Sequence, residues 1–166
     1  MVVIYYLSKT LDSSEMHFTG ADISLRNYEG DQDIAAWLFL RREAMKNLSP
    51  PVGDWTAEHF RREFLAKPTW NAGNFWIAGT EDAPYEFTGS VALSLRKRRG
   101  LVVPSIQWLL VHPNFQRQGI ASYLLCVLEN RVRELGYHEI HLETHSGWTA
   151  AVEFYRKHGY KNARNK

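Results

Sequence analysis

The sequence predicts a mixed α/β domain, on three observations. Strand-like and helix-like segments alternate along the chain, 45% of its residues are apolar and 23% charged, and its 166 residues suit one core rather than two. A single cysteine, Cys126, excludes an internal disulfide framework and a Cys-rich zinc cluster, and fits a reducing compartment such as the cytoplasm. Lys and Arg outnumber Asp and Glu by 20 to 18, a formal charge of +2. That field is too weak to argue for nucleic acid by itself. No apolar run approaches the ~20 residues that cross a bilayer, so a cytoplasmic protein without membrane contact is expected.

Residues 1–20 read as an N-terminal extension and 21–166 as a single domain, with 1–15 an appendage, because 8–20 show no period. Ile23 to Tyr28 alternates like a strand. A helix follows from about Asp31 to Lys46, with Ile34, Trp37, Leu38 and Ala44 on its apolar side. Ser49-Pro-Pro-Val-Gly53 breaks it, since proline fixes φ and lacks an amide donor, and Thr56 to Leu65 resumes as a second short helix.

Phe75 to Gly79 and Phe87 to Leu95 read as strands joined by the acidic turn Glu81-Asp-Ala-Pro84. The basic stretch Arg96-Lys-Arg-Arg-Gly100 is expected at the tip of the next hairpin. Ser105 to Val111 is its return strand, starting late because Pro104 cannot donate to a ladder, and its nearly unbroken apolar run implies burial on both faces. Ile120 to Leu135 carries one apolar stripe and ends at Gly136, so it is the strongest helix. His138 to Thr144 is a strand, and Thr149 to His158 is a last helix stopped by Gly159.

Chemistry is concentrated where a buried strand ends at Val111, a short loop follows, and Gln116-Arg-Gln-Gly-Ile-Ala121 opens the long helix. Unpaired amides and the positive end of the dipole at a helix N-terminus suit an anion such as a pyrophosphate. Gly119 removes a Cβ that would block the ligand, Ala121 stays small, and Arg117 adds charge. A dinucleotide fingerprint would need further glycines where Gln116 and Arg117 stand, and no Gly-Lys-Ser/Thr of a phosphate loop is present.

The order strand, Gln-x-x-Gly-x-Ala, helix, Gly136-Tyr137, strand, then Ala151-x-x-Phe-Tyr155 and Gly159-Tyr160 resembles the GNAT superfamily of acyl-CoA-dependent N-acetyltransferases. The resemblance is specific over 105–160 and architectural over 22–104. It implies a mostly antiparallel central sheet flanked by helices and splayed at the cofactor site. Acetyl-CoA would be the co-substrate and an amine the acceptor, with no metal. The main chain near Leu109, Leu110 and Val111 would pair with pantetheine, while Gln116, Arg117, Gln118, Gly119, Ile120 and Ala121 would cradle the pyrophosphate. By the same resemblance, Tyr155 would be the catalytic acid beside the sulfur. A phenol of ordinary pKa near 10 can protonate a departing thiolate and remain neutral itself.

The chain departs from the family in three places. Residues 101–115 hold no carboxylate, so the base is open among Glu143, His145 and a water held by Gln107. Trp148 stands where the family often has an asparagine. The chain ends soon after Tyr160, where relatives add apolar strands, a gap that Val2–Leu7 could fill.

Trp55, Phe60, Trp70 and Trp76, with Asp54, Glu58 and Glu63, are expected to wall the acceptor site, where rings and carboxylates suit an ammonium. Cys126 falls outside the apolar stripe as an inert or partly exposed thiol. Strand parity separates His138 from His141, against a metal site. Arg96 to Arg99 reads as a solvated turn more than ~20 Å along the strand from the phosphate loop. Two other readings are an acyl-CoA-binding domain without transferase activity and a nucleic-acid module built on Arg96–Arg99. Oligomeric state, a homodimer included, is left open.

Overall fold

In the computed structural model, which describes residues 3–18, 23–80, 82 and 86–163, strand pairing organises the chain. The strands are β1 (Ile4–Thr10), β2 (Ile23–Asn27), β3 (Phe75–Thr80), β4 (Gly89–Arg98), β5 (Leu101–Val111), β6 (Glu139–His145) and β7 (Lys161–Asn162). The helices are α1 (Gln32–Met45), α2 (Ala57–Phe60, continuing as a π-turn over Arg61–Leu65), α3 (Ile120–Glu134) and α4 (Thr149–Lys157). One sheet in the order β2-β3-β4-β5-β6-β1-β7 joins the described strands. Every pairing is antiparallel except β5 with β6.

Apolar alternation sends side chains to two cores. Leu7, Ile106, Ile140 and Leu142 meet Leu124, Leu125 and Leu128 of α3 on one face. Trp37, Leu40, Phe60, Phe64, Phe75 and Ile77 meet on the other, under α1 and α2. Trp37 is the centre of that second core. Its ring packs edge-on to Phe60, Phe64 and Trp108, and its indole N–H donates to Ser90 Oγ at 2.9 Å, satisfying both buried polar atoms. At the mouth of α1, Asp33 takes a two-pronged bond from Arg26 at 2.7 and 2.9 Å and a third from the Glu29 amide. Burial pushes the Asp33 carboxyl up, but Arg26 and that amide outweigh it and hold it below the usual carboxylate value.

The expected appendage contains β1, an inner strand. It runs against β6 from Ile4–His145 to Thr10–Glu139 and against β7 at Leu7 and Ser8, and Leu7 is completely buried. Lys9 fixes it further: the buried Glu129 of α3 accepts from Lys9 Nζ at 3.0 Å and from the Tyr160 hydroxyl at 2.8 Å. The suggested substitution at Val2–Leu7 thus overlaps the observed strand from Ile4 onward, Val2 lying outside the described residues.

Three smaller differences follow from packing. β5 begins at Leu101 rather than Ser105, and Pro104 holds its register opposite Leu95. The hairpin tip is only Arg99-Gly100, both at positive φ, so Arg96, Lys97 and Arg98 belong to β4. Cys126 is buried, because the segment before residue 19 lies along α3: its thiol reaches Met16 C=O at 3.3 Å, and Asn130 Nδ2 donates to the same oxygen. Burial raises the thiol pKa, so Cys126 is a packing residue. The acidic turn at Glu81, Ala83 and Pro84 lies outside the described residues.

Candidate active site

β5 is fully paired on one edge and open on the other. Its partners on β4 run from Gly89–Val111 to Arg98–Leu101, while β6 meets it at Ser105–His141 alone. Beyond that pair the strands part. A register shift opposite Ser90–Ala92 and a positive φ of 51° at Trp108 mark a bulge at the fork. For a tryptophan that backbone is strained, and here packing holds it: Trp108 lies edge-on to Trp55 at 4.6 Å, with the Arg41 guanidinium 5.0 Å from its ring.

The ladder decides which amides face the gap. His112 N–H donates to Thr88 C=O, so by antiparallel alternation Leu110 also turns its N–H and C=O toward β4. The Leu110 carbonyl indeed lies against Gly89, where an added Cβ would come within 2.9 Å of it. Leu109 and Val111 therefore present their main chain to the gap. Of the three residues expected to pair with pantetheine, Leu110 serves β4 instead.

A cavity of about 760 Å³ occupies the fork. On the α3–α4 side it is lined by Leu109, Val111, Gln116, Ala150, Ala151 and Tyr155, and on the α1–α2 side by Glu63, Gln107, Trp108 and the strand face carrying Arg96 and Glu143. The alanines of α4 leave room for a narrow chain. Tyr155 is buried, and burial holds its phenol well above the ordinary value, so it is a neutral hydroxyl at every working pH.

Arg117 to Ala121 lie past the mouth of this cavity, at the start of α3. Gly119 caps the helix with φ 84°, and Arg117 also takes a positive φ of 62°. The first helical bond runs from Tyr123 N–H to Gly119 C=O, leaving the amides of Ile120, Ala121 and Ser122 without a partner inside the helix. Gln116, Arg117 and Gln118 are exposed, while Ile120 turns its side chain into the core and contributes only main chain. A Cβ at Gly119 would stand 3.1 Å from the Phe18 ring, which packs on Tyr123 at 5.3 Å. These free amides, a glycine at the turn and a narrow gap fit a ligand with a pyrophosphate and an extended amide arm.

On the opposite side the structure brings in one carboxylate of the expected acceptor wall. Glu63 Oε1 accepts from Gln107 Nε2 at 3.2 Å and sits 3.4 Å from Trp108 Nε1. Of the expected acceptor wall only Glu63 lines the cavity. Phe60 and Trp76 are core, Asp54 pairs with Arg42 at 3.6 Å and Glu58 with Arg62 at 3.9 Å. Glu143 reaches Arg96, 3.8 Å away, and His145 Nδ1 accepts from the Gly147 amide. Trp148 caps the cavity as a bracket: its N–H donates to Pro50 C=O at 3.2 Å and ties the 49–50 loop to α4.

The site thus combines a forked sheet, unpartnered amides at the start of α3 and a cavity that passes through the fork. The chain belongs to the acetyltransferase (GNAT) family, whose sequence profile matches residues 37–160. Solved structures share the fold. A GCN5-related N-acetyltransferase from Sphaerobacter thermophilus superposes with a TM-score of 0.75 at 19% identity, covering 96% of this chain and 48% of that one, so this chain spans about half its length. The ribosomal-protein-S18-alanine N-acetyltransferase of Escherichia coli gives 0.65 at 16% identity over 86% of this chain and 79% of its own. The NatC complex bound to Gag peptide and CoA gives 0.66 at 19% identity over 87% of both chains. No curated protein matches the chain in sequence. Among the described residues no helix is long and apolar enough to cross a membrane, and no three His, Cys, Asp or Glu side chains are grouped to hold a metal.

Proposed function

We propose that the protein transfers an acetyl group from acetyl-CoA to a primary amine of a small molecule or protein, by direct attack in a ternary complex in the cytoplasm. The observation that carries this reading is the cavity through the β5–β6 fork, which reaches Tyr155 from one side and Glu63 from the other. The amides at the start of α3 hold the pyrophosphate, and the main chain of Leu109 and Val111 pairs with the pantetheine arm. The thioester then lies at the fork, close to both side chains.

Glu63, fixed by Gln107 and Trp108, holds the incoming ammonium and takes its proton, directly or through one water. The neutral amine attacks the carbonyl carbon, a C–N bond forms, and the gap-facing amide of Val111 donates to the developing oxyanion. The C–S bond then breaks, Tyr155 gives its phenolic proton to the thiolate, and the second proton, which the nitrogen sheds as it becomes an amide, restores the phenol through solvent. No covalent enzyme intermediate is required.

Calorimetric titration of acetyl-CoA, followed by thiol release with a panel of amines, tests this reading. Binding with amine-dependent thiol release is expected. Binding without release for every amine would leave an acyl-CoA-binding domain, and no binding would remove the proposed donor.

A further inference from the structure

Arg96 and Arg98 look like a solvated hairpin tip in sequence, yet they line the same cavity as Glu63 and Tyr155. They share a face of β4 with Ala92, which packs in the α1–α2 core, so they point onto the acceptor side of the sheet. β3 pairs with β4 only as far as Ala92, so at Arg96 and Arg98 the ladder partner of β4 among the described strands is β5.

Their present partners are weak. Arg96 stands 3.8 Å from Glu143, with both side chains about half exposed at 43% and 52%, and Arg98 lies 4.9 Å over the exposed ring of Tyr6. His141, which lines the same cavity, has Nε2 3.1 Å from Glu139 and keeps Nδ1 buried with no hydrogen-bond partner. Ala92 is the β4 partner of Gln107, the residue that holds Glu63. Arg96 is four residues further along β4, about 13 Å at strand rise. The groove therefore runs from a carboxylate at the fork to two guanidinium groups at its outer end.

Resting on the acetyl-transfer reading above, we infer that the acceptor is an amine carrying an anionic group about 10–13 Å from its nitrogen. Glu63 receives the ammonium, and Arg96 with Arg98 receives the carboxylate or phosphate. An extended peptide with a free N-terminus and acidic side chains at its third and fourth positions has this spacing, as does a small aminoalkyl phosphate.

The test measures binding and transfer separately in the CoA-loaded full chain. The probes are a tetrapeptide with glutamates at positions three and four, the same peptide with glutamines, and 6-aminohexyl phosphate. The acidic peptide is expected to bind about 10-fold tighter than its neutral counterpart at low salt. That preference should vanish in Arg96→Glu/Arg98→Glu, and in the milder Arg96→Gln/Arg98→Gln if the reversal disturbs folding. Neutral-peptide affinity should change far less than acidic-peptide affinity in the glutamine variant. Equal affinity for the two peptides and no preference for the phosphate, or a preference that survives both double variants, overturns the inference. Tight binding of the phosphate alone assigns a small-molecule acceptor, and of the acidic peptide alone a protein N-terminus. Arginine-dependent binding without thiol release from acetyl-CoA would sink the transfer reading and leave the charge recognition standing.

Discussion

The two edges of β5 differ more than any other pair of neighbours in the sheet. Toward β4 the ladder continues from the hairpin tip to the phosphate loop, through Pro104 and past the bulge at Trp108. Toward β6 a single parallel pair holds, and the main chain of Leu109 and Val111 is left without a strand partner. One strand thus has a paired edge and an open edge. What separates them is supplied mostly by other elements: the bulge, held by Trp55 and Arg41, and the small residues of α4 that fill the fork only in part.

Hydrogen exchange gives the largest contrast. Amides of β5 that face β4, such as Leu110, should exchange about a thousand-fold more slowly than those of Leu109 and Val111. Acetyl-CoA should close that difference if its arm takes the place of the missing strand. A uniform protection pattern before ligand is added would show that the open edge is paired in solution. Gly119→Glu puts bulk, strain and negative charge on the anion cradle, and acetyl-CoA affinity should fall by about 100-fold in calorimetry. The unliganded melting curve serves as the control for folding.

Tyr155→Phe keeps the ring in its pocket and removes only the proton, so kcat should drop about 10- to 100-fold while acetyl-CoA affinity is retained. Because burial raises the phenol pKa, Tyr155 contributes no basic limb between pH 6 and ~9. The rate should therefore climb with pH as the amine loses its proton. A Tyr155→Phe enzyme with full kcat would return Tyr155 to a packing role.

The smallest effect concerns the fully structural side of the molecule. Asp33→Asn should cost about 1–2 kcal/mol at pH 7 by urea unfolding, since it weakens the bonds from Arg26 and the Glu29 amide. The folded-state pKa is depressed, so the contribution of Asp33 is complete above its ordinary value of 3.8 and is lost as pH falls through the lower folded one. The gap between parent and variant should accordingly narrow below pH 4.

How much of this was legible depended on distance along the chain. The turn and helix start at Gln116 to Ala121 could be read because strand end, glycine and helix start are contiguous. Tyr155 was singled out by the family resemblance alone, and it lines the cavity. β1 was legible only as the suggestion that Val2–Leu7 fills a gap in the sheet, because its apolar run is short and the strand that buries Leu7 begins at Glu139. Glu63 was one carboxylate among three on its segment until folding set it against Gln107, 44 positions away. The left-handed backbone at Trp108 has no local signal either, since no tryptophan prefers it. Arg96 and Arg98 misled because a basic run before a glycine looks like a turn, and only the register with Leu101 to Val103 shows that it is strand.

The inner position of β1 also sets an order of events in synthesis. β1 has its main partner in β6, whose paired residues are made 129 to 141 positions later. Until then Leu7 and Tyr5 have no sheet to join, and the fork that holds the ligand lacks the strand behind its outer wall. Closure of so long a loop makes completion of this sheet a late, non-local step. Loss of β1 would thus strike the cavity from behind, through β6, and would also remove Tyr6 from its lining.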